Sequence, residues 1–332
     1  MRLHKFEVDV DGADGVCAAH KLLTLLATNG EVDDVASVRF EEVMVYFHGF
    51  PDLAVHPTEL DMASRMPFKL AEAWLDLGAK QDRADGVAFV TFNFGGVAGS
   101  DSMMRFEDKT ITQEVEDAAR ICDYVRQQLL LDADKGRVHV VGLSTGAIIA
   151  SLLREKGLVD TISVLAGLLD LRKGIEYDFT ASQMEQFDRE GACWKEFYLP
   201  EGSTWPQNAC VSLDGVSVAS DAELQGAVPR KLYLRLQRRY VDECLQSAPS
   251  LNIQRSVSSP TTTTGRPVAP LLVVHGEADQ NVPKSDGEAL FTAAAAPKHF
   301  VAIPKGNHLL SNSKHLKKAV QTLLAHIGLG GA

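Results

Sequence analysis

The sequence predicts an α/β fold, because short apolar segments alternate with amphipathic ones along most of the chain. The apolar segments are almost continuously hydrophobic, which is typical of parallel strands that helices cover on both faces. Between them lie helical patterns, as in residues 111–130, where apolar residues recur at spacings of three and four. This alternation indicates a doubly wound sheet flanked by helices. The expected strands lie at 42–50, 86–94, 137–143, 161–169, 269–279 and 299–306.

Two more strands are expected at the N-terminus, which brings the predicted sheet to eight. The segment "LHKFEVDV" alternates polar and apolar residues with period two, meets the turn signal "DGADG" and continues into "VCAAHKLLT". Such a pattern predicts an antiparallel hairpin beside the mostly parallel sheet.

About a hundred residues in the second half of the chain break this rhythm, since no strand-then-helix unit repeats there. We expect residues 171–267 to form an insertion, with 1–170 and 268–332 as the core domain. A helix is expected at "RKLYLRLQRRYVDECLQ", and residues 258–267 have the composition of a linker. The aromatic residues of the insertion form either the wall of an apolar pocket or a small core of its own. The pocket candidates are Trp194, Phe197, Tyr198 and Trp205.

Composition and charge narrow the possible partners. The chain has 332 residues and a formal net charge of −11, which disfavours nucleic acid and anionic membrane surfaces as partners. Its five cysteines are scattered and none forms a C-x-x-C pair, which argues against a disulfide framework and a zinc site. No apolar stretch has the length of a membrane span. We therefore expect a cytoplasmic protein that acts on a small molecule, and nothing in the sequence indicates its oligomeric state.

The strongest chemical motif is "GLSTG", in which Ser144 lies between Gly142 and Gly146. An expected strand precedes Ser144 and the helical segment "STGAIIASLLRE" follows it, so the serine lies at a strand-to-helix turn. Such a turn lifts the hydroxyl clear of the sheet, and the helix N-terminus stabilises a developing oxyanion. The two glycines permit the tight turn. The motif predicts a nucleophilic serine.

A nucleophilic serine needs a base and an orienting carboxylate, and both follow it in the order Ser, Asp, His. Asp279 lies in "VVHGEADQNVP", in the loop after an apolar strand, and His308 lies in "AIPKGNHLL", in the loop after the next strand. Both side chains would emerge at the edge of the sheet from which Ser144 emerges. Asp170 also ends a strand and is an alternative acid, whereas His275 lies inside a strand and is a poorer base.

The oxyanion would need two backbone N–H donors. Thr145 directly follows the nucleophile, and Phe50 in "YFHGFP" follows the first parallel strand. Neither G-x-G-x-x-G nor G-x-x-x-x-G-K-S/T is present, so the sequence gives no support for a phosphate-bearing cofactor, and the chemistry requires neither a metal nor an organic cofactor.

With these residues in place, the chain resembles the α/β-hydrolase superfamily, and within it the feruloyl (cinnamoyl) esterase-like serine hydrolases. "HGF", "FNFGGVAGSDSMMRFEDKTITQEVEDAARICDYVR", "VGLSTG", "LLVVHGEADQNVP" and "GNH" occur in that family's order and spacing. The resemblance covers roughly residues 38–170 and 268–325. It implies Ser144 as nucleophile, His308 as base and Asp279 as orienting acid. It also implies an oxyanion hole from Phe50 and Thr145, with the 171–267 insertion as a cap over the site.

The sequence departs from that family at the places that set specificity. "FGGVAGSDSMM" is longer than the usual Gly-x-Gly-x-Ser, Thr145 replaces the commoner Gln, Lys or Met, and the insertion matches only loosely. We therefore expect a serine hydrolase of small carboxylic esters that acts through an acyl-enzyme. The alternatives are a thioesterase, an amidase or peptidase or an acyltransferase with the same triad, and a hydrolase-fold protein that binds a ligand with little turnover.

Overall fold

The protein was analysed as a computed structural model, which describes residues 1–12, 19–97, 104–199, 211–212, 231–246 and 248–329. The strands are β1 (Arg2–Val10), β2 (His20–Thr28), β3 (Glu42–Phe47), β4 (Val87–Phe92), β5 (Arg137–Leu143), β6 (Thr161–Leu165), β7 (Ala192–Tyr198), β8 (Val211–Ser212), β9 (Lys231–Gln237), β10 (Leu271–Gly276) and β11 (Lys298–Ile303).

The helices are α1 (Arg65–Lys80), α2 (Ile111–Tyr124), α3 (Thr145–Leu153), α4 (Leu171–Asp178), α5 (Ala181–Glu190), α6 (Arg239–Gln246), α7 (Ile253–Ser258), α8 (Lys284–Ala293) and α9 (Ser313–Leu329). A single π-turn at Val125–Leu129 extends α2. None of the helices in the described ranges combines the length and the apolar character that crossing a bilayer requires.

Eight strands form the main sheet in the order β1-β2-β4-β3-β5-β6-β10-β11. The N-terminal pair β1 and β2 is antiparallel, and β2 also pairs antiparallel with β4. Every other neighbouring pair in the sheet is parallel. The predicted fold class, with its mostly parallel eight-stranded sheet, is confirmed.

Helices cover both faces of this sheet, which explains why its central parallel strands are almost continuously apolar. Alternate residues of β3 enter opposite cores: Val43, Val45 and Phe47 pack on one side, and Met44 and Tyr46 on the other. The first core contains residues of α2, α3 and α8, and the second contains residues of α1 and α9. A parallel sheet buried in this way has no solvent face, so its strands carry no polar alternation.

The insertion contains a small antiparallel sheet in the order β7-β9-β8. The helix expected over "RKLYLRLQRRYVDECLQ" is correct only for α6, because residues 231–237 form β9. Leu232, Leu234 and Leu236 alternate with period two and are fully buried, and β9 pairs with β7 along its whole length. Pairing with a strand some 40 residues earlier decided this conformation over local helix propensity.

Ion pairs attach the insertion to the segment that precedes α2. Arg235 lies 2.8 Å from the buried carboxylate of Glu107, and Arg239 lies 3.0 Å from Asp108. The Glu243 carboxylate accepts a hydrogen bond of 3.0 Å from the backbone N–H of Thr112, near the start of α2. The "FED" segment of the sequence motif therefore contacts the insertion.

The remaining polar residues of that motif form a buried network that fixes the loop after β4. Asp117 accepts hydrogen bonds from the Gly95 backbone N–H and forms a 2.8 Å contact with His20. Lys109 donates to the Gly95 carbonyl and pairs with Glu114 at 2.9 Å, and both side chains are almost fully buried. The loop is therefore held at the two successive peptides on either side of the Gly95 Cα.

Glu42 is the first residue of β3, at the amino-terminal ends of the parallel strands, and three hydrogen-bond donors surround its carboxylate. It pairs with Arg137, lies 3.2 Å from Arg83 and lies 3.4 Å from His139. Burial by itself would raise the pKa of Glu42, but the hydrogen bond from His139 and the positive charges of Arg137 and Arg83 outweigh it and lower that pKa to about 2. The ionised carboxylate therefore stabilises the folded state.

We expect Glu42→Gln to lower the free energy of unfolding by about 3 kcal/mol at neutral pH. A lowered carboxylate pKa gives stability that is present above the unfolded pKa, near 4.5, and is lost as the pH falls toward 2. The difference between the two proteins should therefore shrink at pH 3. Urea unfolding of both proteins at pH 7 and pH 3 measures it, and a difference independent of pH would contradict the assignment.

Candidate active site

Ser144 lies between the last residue of β5 and the first residue of α3. Its backbone has φ 56° and ψ −119°, a left-handed conformation that side-chain-bearing residues rarely adopt. The Ser144 N–H donates to the Leu165 carbonyl at 2.9 Å, at the end of the adjacent strand β6. The side chain is half-buried, at the carboxyl edge of the parallel strands. The serine is thus on a strained strand-to-helix turn, as the sequence predicts.

The two glycines of the motif allow the chain segments around Ser144 to approach each other closely. A Cβ at Gly142 would lie 2.2 Å from the Gly146 carbonyl oxygen, and a Cβ at Gly146 would lie 2.3 Å from the Phe47 carbonyl oxygen. Both obstacles are backbone atoms, which cannot rotate away. Glycine is therefore required at both positions to hold α3 against the ends of β3 and β5.

Glycine and alanine at position 144 both remove the hydroxyl, so a difference in stability between the two variants reports the backbone strain and not the loss of the hydroxyl. We expect the free energy of unfolding of Ser144→Gly to be about 1 kcal/mol higher than that of Ser144→Ala. Glycine adopts positive φ without strain, and this gain outweighs the larger chain entropy that glycine loses on folding. Denaturant unfolding of the two variants measures the difference. Equal stabilities would show that the Ser144 backbone carries little strain.

The turn after β3 packs directly on Ser144. A Cβ at Gly49 would lie 3.2 Å from the Ser144 Cβ and 3.3 Å from the Leu143 carbonyl oxygen. The His48 ring holds this turn: its Nε2 accepts the Phe94 N–H at 3.2 Å, so its Nδ1 carries the proton and donates to the Gly49 carbonyl at 2.7 Å. Burial lowers the pKa of His48 to about 3, which keeps the ring neutral.

This hydrogen bond also orients the next peptide N–H. The Gly49 carbonyl and the Phe50 N–H belong to one peptide, in which the two groups point in opposite directions. With the carbonyl bonded to His48, the Phe50 N–H points away from that ring. Thr145 is the first residue of α3, and its N–H is among those that lack a partner within a helix. These are the two donors expected from the sequence.

Asp279 and His308, which the sequence places in successive loops, meet in the structure. His308 Nδ1 lies 2.9 Å from Asp279 Oδ2, and the Asp279 side chain is fully buried. The other carboxylate oxygen accepts the backbone N–H groups of Asn281 and Val282, each at 2.9 Å. Burial by itself raises the pKa of Asp279, but the His275 imidazole 3.5 Å from Oδ2 and the hydrogen bond from His308 outweigh it and hold that pKa well below its usual range. Asp279 is therefore an ionised partner for the imidazole.

The alternative acid, Asp170, is engaged elsewhere. It is the N-cap of α4, and its carboxylate accepts the Arg172 N–H at 3.0 Å. Asp286, a further carboxylate that follows the Asp279 loop in α8, is bound by Lys173 at 2.6 Å and by the Tyr177 hydroxyl at 2.8 Å. Of Asp170, Asp279 and Asp286, Asp279 is the one hydrogen-bonded to His308.

An aromatic stack connects the turn after β3 with the insertion. The Phe50 ring stacks on Phe106 and on Tyr240 of α6, with centroid distances of 5.7 and 5.1 Å. Phe197 of β7 meets the other side of Phe106 at 5.8 Å, edge to face. An apolar aromatic wall therefore lies beside the Phe50 peptide.

Three of the four expected pocket residues lie in the described part of the chain, and these three do not share one face of β7. Phe197 is fully buried and joins the aromatic stack, whereas Trp194 and Tyr198 lie on the opposite face of β7 because side chains alternate along a strand. Tyr198 is 58% exposed, so its ring faces solvent and is not part of the aromatic wall. Trp205 lies outside the described residues.

Lys195, which no motif in the sequence singles out, shares the inner face of β7 with Phe197. Its ammonium lies 4.5 Å from the Phe179 ring centroid and 5.8 Å from that of Phe50, and it donates to the Asp178 carbonyl. Burial lowers the pKa of Lys195, and the negative charge of Asp178 opposes this shift. The sequence ACWKEFY has no regular alternation of polar and apolar residues, so the position of Lys195 follows only from the pairing of β7 with β9.

Comparison with known proteins agrees with this architecture. The sequence model of the alpha/beta hydrolase family matches residues 44–318, which include most of β3, the Ser144 turn and both loops of the Asp279–His308 pair. The chain therefore belongs to the alpha/beta hydrolase family. No curated protein matches it in sequence.

Solved structures share the fold at low sequence identity. Est1E from Butyrivibrio proteoclasticus, solved with ferulic acid bound, is 18% identical with a TM-score of 0.56, covering 97% of this chain and 99% of its own. The esterase domain of a Rhodothermus marinus protein is 17% identical with a TM-score of 0.53, covering 98% and 97%. Mouse alpha/beta hydrolase domain-containing protein 10 is 14% identical with a TM-score of 0.56, covering 98% of each chain.

Proposed function

We propose that this protein is a serine hydrolase that cleaves small carboxylic esters through an acyl-enzyme. The observation that carries the proposal is the 2.9 Å hydrogen bond between His308 and a buried, ionised Asp279, at the sheet edge where Ser144 lies on a strained turn. Membership of the alpha/beta hydrolase family supports it. Ser144, His308 and Asp279 form the proposed triad.

In the proposed acylation step, the Ser144 hydroxyl oxygen attacks the ester carbonyl carbon while His308 Nε2 takes its proton. Asp279 keeps the His308 Nδ1 proton in place and stabilises the imidazolium. The N–H groups of Phe50 and Thr145 stabilise the tetrahedral oxyanion. The imidazolium then protonates the departing alcohol oxygen, and the carbon–oxygen bond of the ester breaks.

Deacylation repeats these roles with water. His308 removes a proton from a water molecule, whose oxygen attacks the acyl carbon. The second tetrahedral intermediate collapses, the Ser144 oxygen leaves and takes its proton back from His308, and the carboxylic acid is released.

The acyl group would lie against Phe50, the partly exposed ring of the aromatic stack, which the buried rings of Phe106 and Tyr240 hold in place. Since Tyr240 belongs to the insertion, we propose that residues 171–267 act as a cap that shapes the acyl site. An aromatic wall favours aryl or other apolar acyl groups. The neighbour Est1E, whose structure holds ferulic acid, supports including aryl acids among the substrates tested.

Turnover of one acyl group presented as an oxygen ester, a thioester and an anilide tests the bond specificity. We expect the highest kcat/KM with the oxygen ester and release of stoichiometric free acid. Preferred cleavage of the thioester would indicate a thioesterase, and preferred cleavage of the anilide would indicate an amidase or peptidase. Tight stoichiometric binding without product would indicate a binding protein.

A further inference from the structure

The sequence predicts that His275 lies inside a strand, which makes it a poorer candidate base than His308, and in the structure it lies in β10. Its imidazole is 1% exposed and extends toward the turn that carries Asp279. Its Nε2 lies 2.9 Å from the Val282 carbonyl oxygen and 3.5 Å from Asp279 Oδ2. The ring therefore contacts both ends of the four-residue turn that presents the carboxylate to His308.

The hydrogen-bond partners decide which nitrogen of His275 carries the proton. A carbonyl oxygen only accepts, so Nε2 must be the N–H nitrogen of the neutral ring. The same N–H is directed toward Val282 and, at longer range, toward Asp279. The other nitrogen, Nδ1, is buried and has no hydrogen-bond partner among the residues that the structure describes. An unsatisfied buried nitrogen is costly, and an apolar side chain would fill the space without that cost.

Helix α8 keeps the ring in this orientation. A Cβ at Gly287 would lie 2.4 Å from His275 Nδ1 and 3.1 Å from its Cγ. Glycine at this position lets the ring lie flush against the helix. With one nitrogen against α8 and the other bonded to the turn, His275 cannot serve as the base for Ser144.

Asp279 has one oxygen that must serve His308. Its Oδ1 is fixed by the Asn281 and Val282 N–H groups, while Oδ2 receives His308 Nδ1 at 2.9 Å. From these contacts, we propose that His275 is a positioning residue that aims the Asp279 carboxylate at His308. This inference rests on the proposed triad. It adds a fourth side chain, which acts through Asp279 and does not touch the substrate.

The test measures the rate at which a fluorophosphonate probe labels Ser144, which requires no knowledge of the natural substrate. In His275→Leu we expect kinact to fall by about 10- to 100-fold, because the turn loses both the hydrogen bond to the Val282 carbonyl and the N–H that faces Asp279 Oδ2. KI should stay within about twofold, because the probe's own contacts are unchanged. His275→Gln should recover part of the rate, since its amide nitrogen is the same number of bonds from Cα as the imidazole Nε2.

Gly287→Ala is a second variant, which keeps the His275 side chain but displaces its ring, because the new Cβ would lie 2.4 Å from Nδ1. It should also lower kinact. Gly328→Ala in α9 is the matched control, because a Cβ there meets nothing within 4 Å. Unchanged kinact in both His275→Leu and Gly287→Ala would overturn the positioning role. Equal losses in the Leu and Gln variants, with KI rising as well, would show a purely structural role.

Failure of the proposed function gives a different pattern. Ser144→Ala and His308→Ala are assayed alongside, and labelling that persists in both overturns the triad and the inference that depends on it. Labelling abolished in both, with normal rates in the His275 and Gly287 variants, overturns the positioning role alone.

Discussion

Ser144→Ala is expected to lower kcat for ester hydrolysis by about 10⁴-fold or more and to abolish fluorophosphonate labelling. The hydroxyl oxygen is the atom that would form the acyl-enzyme, so its removal leaves His308 without a nucleophile to activate. The strained backbone at φ 56° persists in alanine, so the turn itself is preserved. The residual rate would come from the oxyanion donors and substrate binding alone.

Ser151→Ala is the matched control for this prediction. Ser151 lies in the same helix α3, is fully buried and donates its hydroxyl hydrogen to the Ala147 carbonyl at 2.8 Å, so the same atom is removed away from the proposed site. It should retain labelling and turnover. Circular dichroism of both variants verifies that they are folded. Mass-spectrometric detection of the probe on another residue in Ser144→Ala would refute the nucleophile assignment.

Asp279→Asn should lower kcat by about 10³- to 10⁴-fold while KM changes little. An amide is neutral, so it no longer stabilises the imidazolium that forms on His308. Its NH₂ group can also face Nδ1, which favours the wrong tautomer of the ring. Steady-state kinetics with a chromogenic ester of a small acid measures both parameters.

Asp170→Asn makes the same chemical change at the other candidate acid. Because Asp170 caps α4 through the Arg172 N–H, and asparagine is an equally good N-cap, we expect stability and kcat within about twofold of the wild type. A kcat that falls in Asp170→Asn but not in Asp279→Asn would reverse the assignment of the acid.

Much of the core could be predicted from the sequence because its signals are local. Continuous apolar strands between amphipathic helices require a sheet with both faces covered, and the period-two hairpin at the N-terminus adds the two strands that bring this sheet to eight. The motif around Ser144 is equally local, since only glycine fits where a Cβ would strike the backbone at Gly142 and Gly146. The placement of Asp279 and His308 after successive strands is also readable, because parallel strands end at one edge.

The insertion could be predicted less well because its structure depends on distant pairing. Residues 231–237 were expected to be helical, yet they pair with β7 and form β9. The same strand pairing places Lys195 and Phe197 on the inner face and turns Trp194 and Tyr198 to the other. An aromatic composition therefore indicated an apolar wall but not which rings form it.

The sequence by itself determined the class of fold, the strained turn at Ser144 and the order of the three candidate triad residues, because these depend on steric and periodic rules acting over a few residues. Only the tertiary structure decided which aspartate meets His308, since Asp170 and Asp279 both end strands and differ in what else their carboxylates bind. It likewise revealed the contact of His275 with the Asp279 turn. Such choices depend on hydrogen bonds between groups that the packed sheet brings together, and no local pattern encodes them.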